Sequence, residues 1–126
     1  MNIVAETPLD ASHLFEKLRK QEAGSVIFHY AVVKGQAGEK RSSGILFERG
    51  GDMESELSDI EADIRNRWNI DDILLVRRLG RLQIGDFISL VAVSADASKD
   101  AFEACQYGLA RIRKMATIRK TELVLD

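Results

Sequence analysis

The chain of 126 residues holds one cysteine, one proline and no long apolar run. The lone thiol, Cys105, excludes an internal disulfide framework and every multi-cysteine zinc motif. With Pro8 as the only proline there is no proline-rich linker, and the apolar stretches fall far short of the ~20 residues that span a bilayer. Charge of one sign is also missing. Lys+Arg 18 against Asp+Glu 20 leaves a net −2, which provides no overall basic field for nucleic acid. Met1-Asn2-Ile3-Val4-Ala5-Glu6 carries an acid where a secretory leader wants a base, so the expected location is cytoplasmic.

What is present is a globular composition, 45% apolar and 30% charged, in a length that predicts one domain over residues 1–126. Asp10 is placed to cap a helix carrying Leu14, Phe15 and Leu18, with Gly24 as its stop. Ser25 to Lys34 reads as a strand, residues 35–40 as a polar loop, and Leu46-Phe47 as part of a second strand ending at Gly50-Gly51. The two strands suggest an antiparallel hairpin with a long tip. Asp52 then opens a helix whose Met53, Leu57, Ile60 and Ile64 form one stripe up to the turn at Trp68.

Strands follow at Ile73 to Val76 and Phe87 to Val93, separated by a segment with Gly80 and Gly85 at turn positions. Asp96 or Ser98 is the expected cap of a last helix with Ala101, Phe102, Cys105, Leu109 and Ile112 inward, and a strand from about Ile118 to Leu125 closes the chain. The order α-β-β-α-β-β-α-β predicts a two-layer α+β domain with a mainly antiparallel sheet.

Charge is concentrated locally. Between Arg111 and Lys120 stand Arg111, Arg113, Lys114, Arg119 and Lys120 with no acid, whereas Glu48 to Asp63 holds seven acids against Arg49. A basic cluster at a helix end and strand start suits a phosphate or carboxylate, lysine as a point charge and arginine as a fork. Cations favoured by a helix C-terminus account for the same pattern. Arg77, Arg78 and Arg81 form a second cluster. Alternation sends Arg77 and Arg78 to opposite sheet faces, so at most one joins any single site, and a solvated strand end explains both. His13 and His29 have no ligand-spaced partner, and Cys105 on an apolar stripe reads as an inert core thiol.

Five blocks carry a family resemblance: Gly24-Ser-Val-Ile-Phe28, Val76-Arg-Arg-Leu-Gly-Arg-Leu-Gln-Ile-Gly-Asp86, Val91-Ala-Val-Ser94, Ala101-Phe-Glu-Ala-Cys105 and Ile118-Arg-Lys-Thr-Glu122. In order and approximate spacing they resemble the large, catalytic subunit of molybdopterin synthase, the MoaE family. The resemblance implies an α/β hammerhead fold, a homodimer, and a small ubiquitin-like sulfur-carrier subunit (MoaD-like) as partner. The carrier's Gly-Gly thiocarboxylate would enter a pocket and give sulfur to cyclic pyranopterin monophosphate, with no metal or redox cofactor needed. Nucleic acid and membrane are not expected partners.

By the same resemblance Lys120 is the catalytic or tail-binding amine, with Arg113, Arg119, Lys34 and Lys114 as substrate-binding cations. The match is incomplete. Arg113 stands where the family has a lysine, Ala97 and Ser98 where it has a His-Arg pair, and Lys34 where it has an arginine. The family's Pro-aromatic-Trp-Lys segment reads Thr117-Ile118-Arg119-Lys120, and the chain stops four residues past Glu122. These departures favour a second reading, a catalytically degenerate homologue that binds a ubiquitin-like partner or a pterin phosphate without transferring sulfur. An unrelated anion-binding α+β domain is the third.

Overall fold

The computed structural model describes residues 1–37 and 40–124. In chain order the elements are β1 (Asn2–Ala5), α1 (Ala11–Lys17), β2 (Ser25–Val32), β3 (Gln36–Ala37), β4 (Lys40–Arg49), α2 (Met53–Arg67), β5 (Asp72–Arg78), β6 (Gly80–Leu82), β7 (Phe87–Ala95), α3 (Ser98–Arg113) and β8 (Ile118–Val124). They build two sheets. The first runs β1-β5-β7-β2, with β1 parallel to β5 and the remaining pairs antiparallel. The second is wholly antiparallel: β3 and β6 pair with successive parts of β4, and β8 pairs with β4 as well. The mixed α/β class with mainly antiparallel sheets is as expected from the sequence.

The central strands β5 and β7 are apolar on both faces, as strands covered on both sides must be. Ile73, Leu75, Val91 and Val93 face α2 and α3 in the main core, which Ile45, Phe47 and Leu82 of the second sheet complete. Leu74, Val76, Leu90 and Ala92 face the other way, against Leu14 and Leu18 around α1. The α2 stripe of Met53, Leu57, Ile60 and Ile64 is buried completely, at about 1.5–3 kcal/mol of transfer free energy per side chain. Asp52 caps that helix by accepting from the Ser55 amide, and Asp10 caps α1 through the Ser12 amide. Gly80 and Gly85 sit at φ +105° and +89°, as turns at these positions require.

Several expectations need correction. The strand with Leu46-Phe47 does not form a hairpin with β2: β2 pairs with β7, while β4 spends its hydrogen bonds on β3, β6 and β8. The first helix stops at Lys17 rather than near Gly24, because the Lys20 ammonium takes the Phe15 and Leu18 carbonyls, at 2.7 and 2.6 Å. The Arg19 backbone is then tied to Asp72 and Ser94. Neither Asp96 nor Ser98 caps α3; its N-cap is Ala97, with no side-chain hydrogen bond. Phe102 is 61% exposed, and the small Ala104 and Gly108 take the inward positions. Strands β1, β3 and β6 were not anticipated. Of the closing strand, Leu125 lies outside the described residues, as do Gly38 and Glu39 of the loop before β4.

Candidate active site

A cleft of about 380 Å³ opens where the two sheets meet the end of α3, lined by Ala31, Val32, Phe47, Arg77, Ile88, Ser89, Ile112, Arg113 and Lys120. Strand register explains the convergence. Ala31 pairs with Ser89 and Ser89 with Arg77, so one row across β2, β7 and β5 supplies one wall. Phe47 on β4 pairs with Lys120 on β8, which supplies the opposite wall. The last turn of α3 adds the buried Ile112 and the exposed Arg113.

All three charged side chains lining the cleft are cations. Arg77 is only 6% exposed. Its Nη1 donates to the Ile88 carbonyl at 2.9 Å, and its Cζ lies 4.2 Å from the centre of the Phe47 ring. The Nε–H is buried without a hydrogen-bond partner. Burial pulls the guanidinium down to about 10, which still leaves it charged at neutral pH. Lys120 is more open, its side chain 57% exposed and its Nζ 3.7 Å from the Glu122 carboxylate. Apolar walls around such cations raise their hold on an anion, because water competes less.

A carboxylate from a distant helix positions β8. Glu56 on α2 accepts from the amides of Ala116 and Thr117, at 3.0 and 3.1 Å, and from the Thr117 hydroxyl at 2.6 Å. Burial alone would raise its pKa, but these hydrogen bonds outweigh it and hold the carboxyl below its usual range. The turn between α3 and β8 is thereby fixed, three residues before Lys120.

Of the residues singled out from the sequence, the structure brings Arg113 and Lys120 together and leaves three outside. Arg119 pairs across the sheet with Glu48, so alternation points it away from the face bearing Lys120; its Nη2 donates to the Arg49 carbonyl. Lys114 is an exposed C-cap of α3, and Lys34 is exposed beyond β2; neither lines the cleft. Arg111, from the same basic run, is engaged with Asp63 and Tyr107. Arg77 joins Arg113 and Lys120 in the cleft, and the solvated strand end expected for Arg77 and Arg78 is not found, both being buried at 6% and 5% exposure. The signal for Arg77 was parity: it continues the Ile73, Leu75 series toward the main core, while Arg78 turns to the opposite face over Phe87. Cys105 is a core thiol that burial pushes up to about 11, set against the Val91 carbonyl.

A cationic, apolar-walled cleft lies between the two sheets of an α/β scaffold, and comparison with known proteins gives that scaffold its place. The family model described as MoaE protein matches residues 4–115. The molybdopterin synthase catalytic subunit of Bacillus subtilis is 29% identical over 98% of this chain and 79% of its own length. That of Haemophilus influenzae is 31% identical over 94% and 81%. Among solved structures, molybdopterin synthase from Staphylococcus aureus superposes with a TM-score of 0.89 at 27% identity, covering 98% of this chain and 90% of its own. A complex of subunits 1 and 2 of molybdopterin-converting factor from Helicobacter pylori shares the fold at a TM-score of 0.75 and 15% identity, over 98% and 84%. The chain belongs to the MoaE family. Its curated homologues are catalytic subunits of molybdopterin synthase, which makes a transferase role the functional class of this scaffold.

Proposed function

We propose that this protein acts as the catalytic subunit of a molybdopterin synthase, with Lys120 at the reacting end of the cleft. A small ubiquitin-like carrier subunit would insert its extended C-terminal tail between the two walls, and cyclic pyranopterin monophosphate would meet it there. The tail's thiocarboxylate sulfur forms a bond to a pterin carbon as an oxygen substituent leaves that carbon. Water then cleaves the acyl C–S bond, leaving the sulfur on the pterin and the tail as a carboxylate, and a second thiocarboxylated carrier repeats the step for the second sulfur. Both substrates are anionic, so fixed positive charge in a partly dehydrated cleft favours their approach and the charge that develops during transfer. Lys120 holds the thiocarboxylate through its positive charge and N–H donors.

Arg113 supplies charge at the mouth but no nucleophile, since a guanidinium stays protonated. Lys114 and Lys34 are left as outer contacts for an incoming anion, Arg119 serves the opposite face of β8, and a homodimer is the assembly this reading carries with it. The observation that supports the reading is the pairing of Phe47 with Lys120, which sets the amine against the apolar wall facing Arg77. A second reading, a binding protein without turnover, is favoured by Ala97 and Ser98 at the start of α3, where the family has a His-Arg pair.

Sulfur transfer from a thiocarboxylated carrier to the pterin precursor separates the two. Lys120→Ala is expected to lower turnover about 100-fold or more, roughly 2.7 kcal/mol on the barrier. Turnover by wild type that Lys120→Ala leaves intact would remove this mechanism. A stable complex with the carrier and no product would establish the binding-only reading.

A further inference from the structure

Arg77 lies outside the machinery just described, yet it is the most deeply buried charge in the cleft. It has 6% exposure, and no carboxylate is found among the residues that line the cleft with it. A buried guanidinium is costly unless something pairs with it. One edge of the group is used, with Nη1 on the Ile88 carbonyl; the other edge, Nε with Nη2, carries an Nε–H that has no partner. The guanidinium carbon lies 4.2 Å from the centre of the Phe47 ring, and this contact together with the Nη1 bond to Ile88 restrains the group.

Arg78 offers an internal comparison. It is equally buried at 5%, lies over Phe87 and also has an unpartnered Nε–H, but it is not among the residues that line this cleft. The structure assigns Arg77 as the inner anchor for an oxyanion that enters the cleft, gripped by the Nε–Nη2 edge and flanked by Lys120 and Arg113. A carboxylate at the end of a peptide and a phosphate monoester both present the paired oxygens such a fork takes. This inference rests on the cleft being the substrate site, but it does not require that sulfur be transferred.

The test is equilibrium binding to the purified full chain in low-salt, chloride-free buffer. The probes are inorganic phosphate and a hexapeptide ending in Gly-Gly with a free carboxylate, the latter compared with its C-terminal amide. Wild type is expected to bind phosphate or the free-acid peptide, and Arg77→Gln to weaken that binding about 10-fold or more. Arg77→Lys, which keeps the charge and loses the fork, is expected between the two, and Arg78→Gln at the wild-type value.

Binding of phosphate alone identifies a phosphorylated small molecule as the occupant; binding of the acid peptide but not its amide identifies a chain end. Wild type that binds neither probe overturns the assignment, and so does Arg78→Gln weakening binding as much as Arg77→Gln. If Arg77→Gln does not fold, Arg77→Lys with an unaltered melting temperature decides, and affinity equal to wild type overturns the assignment. Anion binding lost in Arg77→Gln while wild type shows no sulfur transfer would refute the enzymatic reading and leave this one standing. Transfer by wild type with anion affinity unchanged in Arg77→Gln would do the reverse.

Discussion

Two groups of basic side chains lie at the C-terminal half of α3, and the fold treats them in opposite ways. Along the seam between α2 and α3 each cation meets an acid. Arg111 donates to Asp63 at 2.7 Å and to the Tyr107 hydroxyl at 2.9 Å, and Arg67 reaches the same Asp63 at 2.9 Å. Tyr107 donates to Asp63 as well, and the hydrogen bonds from Tyr107 and Arg67 keep that carboxyl below its ordinary range. In the cleft, one turn further along, Arg77 and Arg113 have no ion pair among the described residues, and Lys120 has only Glu122 at 3.7 Å. Cations of the same kind thus become structural or available according to where the acids of α2 fall. Net charge per segment, which lumps Arg111 with Lys120, hides that division.

The comparison can be broken in three places. The largest effect is expected from Gly108→Leu, where α3 crosses both the seam and the sheet. A Cβ there already lies 3.2 Å from Ile64 Cδ1 and from Val91 Cγ1. Overpacking should cost about 2–3 kcal/mol and lift the helix end bearing Arg113, so melting temperature and sulfur transfer fall together. Retention of either would show that seam and cleft are less tightly joined than the packing implies.

A smaller loss is expected from Glu56→Gln, which weakens the clamp on the turn before β8. About 1 kcal/mol is reasonable for a charged acceptor partly open to solvent. Because the folded-state pKa of Glu56 is depressed, its contribution is complete above the unfolded value of about 4.3 and is lost as pH falls through the folded value. Denaturant titrations should therefore show the gap between wild type and variant closing below about pH 4; a gap that widens in acid would contradict the sign. Least of all should Arg111→Ala matter. Its side chain is 39% exposed, so the cost is under about 1 kcal/mol, and sulfur transfer should stay at the wild-type rate. Transfer lost to the extent expected for Lys120→Ala would erase the distinction between the two groups.

Much of the fold was legible because its signals are local. The α2 stripe, the Asp52 and Asp10 caps and the apolar runs of β5 and β7 all act within a few residues. What escaped depends on partners far along the chain. Strand β1 pairs with β5 some seventy residues away, as the Asn2 and Leu75 register shows. Strand β6 exists because β4 offers it an edge. Phe102 was misplaced since the helix stripe shifts by one position when small residues, Ala104 and Gly108, let α3 lie close to the sheet. The site was half legible. Composition flagged the basic run, but only the parity of β8 and β5 separates Lys120 from Arg119 and Arg77 from Arg78.

The Phe47–Lys120 partnership has a further consequence. Each step of β8 along β4 swaps which neighbour in the Arg119-Lys120 pair looks inward. Loss or gain of a single residue in the connector 114–117 would rotate an amine out and a permanently protonated guanidinium in, without altering composition or overall charge balance beyond that one residue. Which side chain faces the cleft is thus set by counting along the backbone, and relatives with length changes in that connector should be compared by strand phase before their cations are equated.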